Sequence, residues 1–390
     1  MPNQSSIFSQ ITATLFHPEF SRCVRLFPTT RRTKGLTEYD HFLALCFGQL
    51  TYRESLRDIV ICLKSQEALQ YHLGFRGKIT RTNLAYANRN RDWRLFQGVA
   101  EILMRRAARL YADSPFDPDL PQMAFALDSS IISLSLKIFP WGFYARSKQA
   151  ALKLHLMLSL QGHLPAWAAI TEAHFPDMKI LDRIPIHPGF FFIMDRGYLD
   201  FLRLYRIDQA HGFFVVRSKH HVKFSLVESR PVPQEQNLRA DQTVKLKSAW
   251  SKKKFPRPLR RVTVYDPEHK LFLVLLTNNF QLPAPVIAEL YRRRWQVELF
   301  FKWIKQHLKI RGFYGHSENA VRCQIWSAVC TYLMVAILKK ELGISKTLYE
   351  ILQIISVNAF EQMPLAELLA ENDQITQQDD YQKLFMFNHN

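Results

Sequence analysis

The stretch GFFFIMDRGYLDFLRLYRIDQAHGFFVVR, from Gly189 to Arg217, decides the fold class of this 390-residue chain. Its first part, Gly189–Asp195, is a continuous apolar run, which is typical of a central strand buried on both faces. A helical segment follows it, and FFVVR predicts a further strand. Strands that alternate with helices in this way predict an α/β protein with a mixed sheet and helices on its faces.

Apolar segments upstream of this stretch also predict strands. They are MAFALD (123–128), IISLSL (131–136) and KLHLMLSLQGHLPAWAAIT (153–171), the last a hairpin that turns at Gln161-Gly162-His163. DMKILDRI (177–184) predicts a short helix. The proline-rich segment DSPFDPDLPQ (113–122) predicts a linker between this region and the chain before it.

Residues 1–118 have a helical pattern throughout, with apolar residues at i, i+3, i+4 and i+7. Thr51 and Glu54 have the spacing of a capping box. Thr82 is the predicted N-cap of a later helix, whose polar residues are Arg81, Asn83, Asn88, Arg89 and Arg91. These side chains suit DNA phosphates and base edges, so the segment is a candidate recognition helix. A solvated helix in a bundle explains the same residues equally well.

The chain has a formal net charge of +18, and the positive charge is concentrated in two regions. Residues 213–262 carry 13 Lys or Arg against 3 Asp or Glu, and residues 1–118 carry 17 against 10. This distribution predicts a polyanion partner, with a basic protein that has no such partner as the alternative. We predict a helical DNA-binding domain (1–118), a catalytic domain (119–345) with a β-rich basic insertion (about 217–270), and a C-terminal helical segment and tail (346–390).

The cysteines and the longest apolar run exclude other classes of protein. The chain has five cysteines, an odd number, and no two have CxxC spacing, so we expect buried reduced thiols and no zinc site. The N-terminus lacks a signal-peptide pattern, and the longest apolar run, Ile325–Leu338, is too short to span a membrane. We therefore expect a cytosolic protein.

The helix predicted at YRRRWQVELFFKWIKQHLKI (291–310) has charged residues on one face. The residues within an arc of about 60° are Tyr291, Arg294, Glu298 and Lys305, with Lys302 and Lys309 on or beside the same stripe. A separate apolar arc can face a core: Val297, Phe300, Phe301, Ile304 and Leu308. One carboxylate among several cations indicates an anionic target with a metal ion beside it. Ordinary surface salt bridges, worth about 0.2–0.5 kcal/mol each, are the alternative explanation.

Two aspartates, Asp128 and Asp195, each follow an apolar run that predicts a strand. In an open α/β sheet, ligands bind outside the carboxyl ends of the strands. Together with Glu298, these side chains make an oxygen-rich site that suits Mg²⁺ or Mn²⁺. Taken singly, each aspartate could instead cap the turn or helix that follows it.

Three motifs together resemble a known family. They are the pattern Tyr-x2-Arg-x3-Glu-x6-Lys that starts at Tyr291, the sequence Asp-Arg-Gly-Tyr at 195–198, and LDSS at 127–130. They resemble the DDE transposases of bacterial insertion sequences, in the branch that is defined by a Tyr–Arg–Glu–Lys helix and named after insertion sequence four. QLTYRESLRDI and LAYANRNRDW also resemble the N-terminal domain of that branch, so the resemblance covers essentially the full length.

The resemblance implies a ribonuclease-H-like catalytic core with flanking helices and an all-helical N-terminal domain. Asp128, Asp195 and Glu298 would be the catalytic, metal-binding triad, with Mg²⁺ as the cofactor and Mn²⁺ as a substitute. The residues assigned to DNA contact are Tyr291, Arg294, Lys305, Trp295, Arg196, Tyr198 and Lys302. Trp295 would stack on a base that is flipped out of a hairpin intermediate, and packing in the core explains a tryptophan there equally well.

The activity that the resemblance implies is transposition by a cut-and-paste route. The partners would be double-stranded DNA, as terminal inverted repeats and as target, and a second copy of the chain on that DNA. Two other functions fit the same residues: a hydrolytic nuclease without strand transfer, and a DNA-binding repressor whose carboxylates are only caps. In one respect the chain departs from the family, where a His-Asp pair often precedes the second aspartate. Here Pro176 precedes Asp177 and His174 lies two residues before that proline, so the supporting histidine is not carried over.

Overall fold

A computed structural model describes residues 5–29, 35–113, 120–121, 123–135, 137–144, 149–232, 237–307 and 312–370. The chain forms two compact units, one of Met1–Leu110 with Trp303–Asn390 and the other of Tyr111–Lys302. The predicted boundaries at residues 118 and 345 differ from this division, because the helices after Trp303 group with the N-terminal helices. Most of the predicted linker, Leu308, Lys309 and the tail after residue 370 lie outside the described residues.

In the unit Tyr111–Lys302, the described residues form one ten-stranded sheet. The strands are β1 (Ala124–Leu134), β2 (Phe143–Tyr144), β3 (Gln149–Ser159), β4 (Pro165–Glu172), β5 (Phe191–Met194), β6 (Phe213–Arg217), β7 (Phe224–Arg230), β8 (Leu238–Leu246), β9 (Leu259–Asp266) and β10 (Leu271–Thr277). Its helices are α7 (Phe201–Gln209), α8 (Ala249–Lys254), α9 (Ala284–Arg293) and the first part of α10 (Trp295–His307). Short 3₁₀ helices cover Pro140–Gly142, Asp177–Asp182 and Arg196–Tyr198.

The strand order along the sheet is β2-β3-β1-β5-β6-β10-β9-β8-β7, and β4 also pairs with β3. β1 is antiparallel to β3 and parallel to β5, and β5 is parallel to β6. Beyond β6 every pairing is antiparallel. The three central strands β1, β5 and β6 are therefore the parallel part of a mixed sheet, as the sequence predicts.

The predicted central strand is confirmed, because all four residues of β5 are buried. Phe192 and Met194 pack into the core on one face with Leu204 and Ile207 of α7. FFVVR is β6, with the predicted bounds. The predicted hairpin is also confirmed: β3 and β4 are antiparallel, and the turn between them has positive φ at Gly162 and His163.

One sequence prediction about the sheet is wrong. The segments MAFALD and IISLSL contribute to a single strand, β1 (Ala124–Leu134), because its pairing with β3 continues without interruption from Phe125 to Leu134. Asp128 therefore lies within a strand, not at its end. The basic insertion is rich in strands as predicted, and its strands continue the central sheet, because β9 pairs with β10 and β10 pairs with β6.

A buried ion pair connects the insertion to the chain that enters α9. Arg260 of β9 donates two hydrogen bonds to Asp241 of β8, at 2.8 and 2.7 Å, and both residues are about 5% exposed. The same guanidinium donates to the carbonyl oxygens of Asn279 and Leu282, just before α9 begins. These hydrogen bonds satisfy the buried guanidinium and hold the chain segment just before α9 against the sheet.

The other unit is helical throughout its described residues. Its helices are α1 (Ile7–Thr12), α2 (His17–Leu26), α3 (Glu38–Leu50), α4 (Leu56–Ser65), α5 (Arg81–Asn90), α6 (Arg94–Leu110), the end of α10, α11 (Glu318–Glu341), α12 (Leu348–Asn358) and α13 (Leu365–Ala370), with a 3₁₀ turn at Glu67–Leu69. α11 is long and apolar enough for a membrane span by length and composition, but 94% of that segment is buried against neighbours such as α6 and α3. It is placed as the core helix of this unit.

Two helix starts differ from the prediction. Ser55 caps α4, since Thr51 instead ends α3 and Tyr52 has positive φ, which no helix start allows. Thr80, not Thr82, caps α5 by accepting a hydrogen bond from the amide of Asn83. All five cysteines are free; four are buried and Cys62 is half-buried.

The candidate recognition helix α5 is divided between packing and solvent. Asn88 Oδ1 accepts a 2.7 Å hydrogen bond from Nε2 of the buried His41, and Arg91 donates to the carbonyl oxygens of Leu36 and Thr37. Both residues are 2% exposed, so neither can contact DNA as predicted. Arg81 and Arg89 remain exposed on the opposite side of the helix.

Candidate active site

The pairing of β1 with β5 brings two of the predicted site residues to one place. Leu127 and Met194 form the last pair of this parallel register, and Asp128 and Asp195 are the next residue on each strand. Both aspartates therefore lie at the same edge of the parallel region, although 67 residues separate them in the sequence. The reason is the parallel pairing, since Asp128 itself lies within β1.

The predicted helix over 291–310 is interrupted at Arg294. α9 ends at Arg293 and α10 begins at Trp295. The amide of Arg294 bonds to the carbonyl oxygen of Tyr291, and that of Val297 bonds to Arg294, so the chain makes a tighter turn there. The interruption does not separate the polar residues of the stripe. Arg294 still contacts Glu298 and Asp128, and Tyr291 contacts Asp195.

Arg294 lies between two of the three predicted metal ligands. Its guanidinium is 3.2 Å from Asp128 Oδ2 and 2.5 Å from Glu298 Oε1. The Tyr291 hydroxyl donates to Asp195 Oδ1 at 3.1 Å. The Arg294–Glu298 pair expected of a surface salt bridge therefore exists, but its arginine side chain is only 13% exposed and also holds an aspartate from β1.

The charges of the other two carboxylates act on Asp128. Burial raises the pKa of Asp128 to about 6, and the charges of Glu298 and Asp195 add to that rise. The Ser129 amide, which donates to Asp128 Oδ1 at 2.7 Å, and the Arg294 charge oppose it. Burial and the nearby Asp195 also raise the pKa of Tyr291 to about 12, so this hydroxyl keeps its proton at neutral pH. A protein gains nothing in stability from such a cluster of acids, which marks it as a candidate functional site.

Comparison with known proteins decides the family. Residues 119–334 match the family model of the transposase DDE domain. The chain is a member of the DDE transposases. Residues 3–76 match a second family model, described as a domain of unknown function (DUF4372).

Three proteins that are similar to this one are also named as transposases. It is 33% identical over 62% of its length to a protein of Sinorhizobium fredii named as transposase y4zB, of which it covers 68%. It is 28% identical over 55% of its length to a transposase of insertion sequence element IS5377 from Geobacillus stearothermophilus, covering 56% of that protein. It is 23% identical over 72% of its length to a transposase of element IS4SA from Synechocystis sp., covering 78%.

Membership explains the architecture of the sheet. The antiparallel strands β4, β3 and β1, followed by β5 and β6 parallel to β1, form the ribonuclease-H-like core that the sequence predicts. The transposase is accordingly an enzyme that cleaves and transfers DNA, and DNA is its partner.

The other residues assigned to DNA contact differ in their exposure. Trp295 is 55% exposed, so the alternative that it packs in the core is wrong. Arg196 and Lys302 are exposed, and Lys305 is half-buried in the part of α10 that groups with the other unit. Tyr198 is 2% exposed within the core, where burial and the charges of Asp128 and Asp177 hold its pKa well above the ordinary value. A buried phenol cannot contact DNA, so the prediction that Tyr198 does so is wrong.

Sequence reasoning missed a second polar cluster beside the first. Asp177 accepts hydrogen bonds from the Ser129 hydroxyl at 2.7 Å and from Lys153 Nζ at 3.1 Å. His174, in contrast, is two-thirds exposed and pairs with Glu172 at the surface. Lys153 follows from no local motif, because only the register of β1 with β3 brings it to Asp177.

The donor chemistry of Asp128, Asp195 and Glu298 fits a divalent metal ion. Six carboxylate oxygens form a hard ligand set, and the raised pKa of Asp128 shows that the site favours additional positive charge. Among the described residues, no three acidic, histidine or cysteine side chains are already placed as a complete ligand set. The Arg294 guanidinium supplies the positive charge in this arrangement.

Proposed function

We propose that this transposase mobilises its own insertion sequence by a cut-and-paste route with a hairpin intermediate. It would bind the terminal inverted repeats and use Asp128, Asp195 and Glu298 to hold Mg²⁺, for which Mn²⁺ can substitute. The observation that carries the proposal is the arrangement of these carboxylates around one helix junction: Asp128 and Glu298 share the largely buried Arg294, and Asp195 accepts a hydrogen bond from Tyr291. Bound divalent ions supply Lewis-acid stabilisation of phosphoryl transfer.

The protein's own residues orient these carboxylates. The Ser129 amide holds one oxygen of Asp128, and the Tyr291 hydroxyl holds one oxygen of Asp195. Each hydrogen bond engages one oxygen of its carboxylate and restricts the rotamer, and the second oxygen of Asp128 pairs with Arg294. Such restriction reduces the reorganisation that the site needs when substrate binds.

Arg294 would exchange its partners when DNA arrives. A guanidinium binds carboxylate and phosphate with the same forked geometry, so a phosphate next to the scissile bond can replace Asp128 and Glu298 as its partner. The exchange would release both carboxylates for metal ions at the moment the substrate binds. The family role of this arginine in DNA contact and its observed ion pairs are then two states of one side chain.

The exposed residues near this arginine suit the DNA around the cleaved end. Trp295 adjoins Arg294 and presents a large aromatic surface, on which an extruded base can stack. Arg196 and Lys302 are exposed cations that can hold flanking phosphates. Cleavage and joining of two ends further imply a homodimer on DNA, which light scattering of the protein with paired ends can test.

The N-terminal helices would recognise the terminal repeat through α5. Its exposed residues are Arg81, Thr82, Ala85, Tyr86 and Arg89, which recur at helical spacing on one face. The chain from Tyr71 to Asn90 contains four Lys or Arg, all exposed, and no Asp or Glu, so this surface attracts phosphates. Arg81→Ala and Arg89→Ala should each reduce the salt dependence of DNA binding by about one unit of slope, whereas Arg109→Ala on α6 should not.

An assay with the element's own ends tests the proposal as a whole. The DNA that flanks the coding region supplies the repeats, and purified protein is incubated with Mg²⁺, a donor plasmid that carries both ends, and a target plasmid. Excised donor, hairpin ends and joined products are expected. Nicks without joined products would identify a nuclease, and binding without cleavage would identify a repressor. Cytoplasmic location at the nucleoid follows from such an activity and can be checked by imaging the tagged protein.

A further inference from the structure

A second ion pair lies behind the candidate active site, on the reverse face of β1. Successive residues of a strand point to opposite faces, so Ser129 faces away from the side that carries Asp128. The Ser129 hydroxyl donates to Asp177 Oδ1 at 2.7 Å, while the Ser129 amide donates to Asp128 Oδ1 at 2.7 Å. One serine therefore connects the two carboxylates.

Lys153 supplies the positive charge of this cluster. Its Nζ lies 3.1 Å from Asp177 Oδ1 and donates to the carbonyl oxygen of Phe175 at 2.9 Å, and the lysine is 9% exposed. His155 Nδ1 is also 4.0 Å from this carboxylate, but burial lowers the pKa of His155 to about 4, so the ring is neutral at pH 7. Lys153 is held on β3, directly beside β1, and has two acceptors in a fixed geometry.

Asp177 also reaches the turn that follows Asp195. A Cβ added at Gly197 would lie 3.8 Å from Asp177 Oδ2, so the carboxylate is against the backbone of this turn. The two 3₁₀ helices Asp177–Asp182 and Arg196–Tyr198 are in contact. Asp177 thus has one oxygen on the support of Asp128 and the other beside the segment that begins at Asp195.

We propose that Asp177, charge-paired with Lys153, is a positioning residue that sets the spacing of Asp128 and Asp195 and thereby the metal affinity of the site. This inference rests on the proposed role of those two aspartates as metal ligands. Asp177 itself touches neither substrate nor metal in the proposal, and acts through the Ser129 amide and the Arg196–Tyr198 turn. Outer hydrogen-bond partners of metal ligands commonly change metal affinity by about 10- to 100-fold.

An ordinary structural ion pair would have different consequences. It would contribute to the free energy of unfolding and leave the metal affinity of the folded protein unchanged. Ser129 separates the two possibilities, because Ser129→Ala removes only the hydroxyl that joins Asp177 to β1 and leaves the Lys153–Asp177 pair intact. Ser129→Thr retains a hydroxyl and should restore the wild-type affinity.

The measurement is Mn²⁺ binding, followed by electron paramagnetic resonance. The full chain is bound to a terminal-repeat duplex that ends in a dideoxynucleotide, so no strand transfer occurs. We expect Asp177→Asn and Ser129→Ala to weaken Mn²⁺ binding by about tenfold, and Ser129→Thr to remain within twofold of wild type. Asp182→Asn is the matched control, since Asp182 lies on the same 3₁₀ helix and pairs only with surface arginines among its reported partners.

The outcomes distinguish this inference from the proposed function. If Asp128→Ala does not weaken Mn²⁺ binding, the proposed metal site itself is wrong. If Asp128→Ala abolishes binding while both Ser129→Ala and Asp177→Asn bind as the wild type does, only the positioning role is overturned. Should Asp177→Asn fail to fold, Ser129→Ala decides alone, because it removes one hydroxyl group and no charge.

Discussion

Two carboxylate clusters lie back to back on β1, and they differ in how their negative charge is balanced. Asp128 is paired with Arg294, a long side chain at the junction of two helices. Asp177 is paired with Lys153, which is held on the neighbouring strand and also bonded to the Phe175 carbonyl oxygen. Under the proposed function, Arg294 is an exchangeable counter-ion, whereas Lys153 is a fixed one. A site that must accept metal and phosphate needs the first kind, and a support for that site needs the second.

The largest effect is expected where charge is removed from the exchangeable cluster. Asp128→Asn and Glu298→Gln should each reduce strand cleavage by about 10³-fold or more, equivalent to about 4 kcal/mol of barrier, because each would remove a proposed metal ligand. DNA binding should persist, as measured by gel shift. Glu289→Gln is the control, since Glu289 lies on α9 and pairs only with Arg292 and Arg293 in the reported ion pairs. Full cleavage by Asp128→Asn would show that the carboxylates serve only as caps.

Asp128→Asn, which should reduce cleavage, should increase the stability of the folded protein. The pKa of Asp128 is raised from 3.8 to about 6 in the folded protein, so the folded state binds a proton that the unfolded state has released between these values. Ionised Asp128 therefore costs stability above pH 6, and this cost disappears below about pH 4. Asp128→Asn should raise the free energy of unfolding by at most about 3 kcal/mol at pH 7.5 with chelator present. Denaturant titrations at pH 7.5 and 4 check this, and an equal gain at both values would contradict it.

The sequence predicts those features of the two clusters that depend on residues close together in the chain. The apolar runs that become β5 and β6 follow from composition alone, and the spacing of Tyr291, Arg294 and Glu298 survives the interruption at Arg294 because the turn there remains close to helical. Motif spacing therefore indicates the exchangeable cluster well.

The fixed cluster and the packing of α5 depend on distant partners. Lys153 meets Asp177 only through the register of β3 and the loop before the 3₁₀ helix, and the His-Asp pattern that includes Asp177 says nothing about Lys153. Asn88 and Arg91 resemble DNA-reading side chains in sequence, yet their partners are a buried histidine and carbonyl oxygens about 50 residues away. A polar residue's exposure is a tertiary property, so periodicity could not assign it.

Removal of the fixed counter-ion should reduce stability, and metal should not compensate for the missing charge. Lys153→Met leaves the partly buried Asp177 without its cation, which should lower the free energy of unfolding by about 2 kcal/mol. Mn²⁺ should stabilise this variant no more than it stabilises wild type, because the lysine is on the face opposite Asp128 and the ion would not replace its charge. Arg206→Gln, at a half-exposed pair with Asp182, should change stability by less than about 1 kcal/mol. A larger stabilisation by Mn²⁺ of Lys153→Met than of wild type would show that the ion replaces the lysine charge beside Asp177.

Removal of the exchangeable counter-ion should have the smallest effect and the opposite dependence on metal. In Arg294→Gln, Asp128 and Glu298 lose the cation that competes with divalent ions, so Mn²⁺ should bind the DNA-free protein about tenfold more tightly than it binds wild type, a difference of about 1.4 kcal/mol. Saturating Mn²⁺ should then restore the stability that the substitution removes, since a ligand that binds only the folded state stabilises it. With end DNA bound, wild type should approach the variant's Mn²⁺ affinity, because phosphate has already drawn the guanidinium away. Calorimetric titration with and without the duplex measures both affinities, and equal affinities in the absence of DNA would show that Arg294 does not compete with metal.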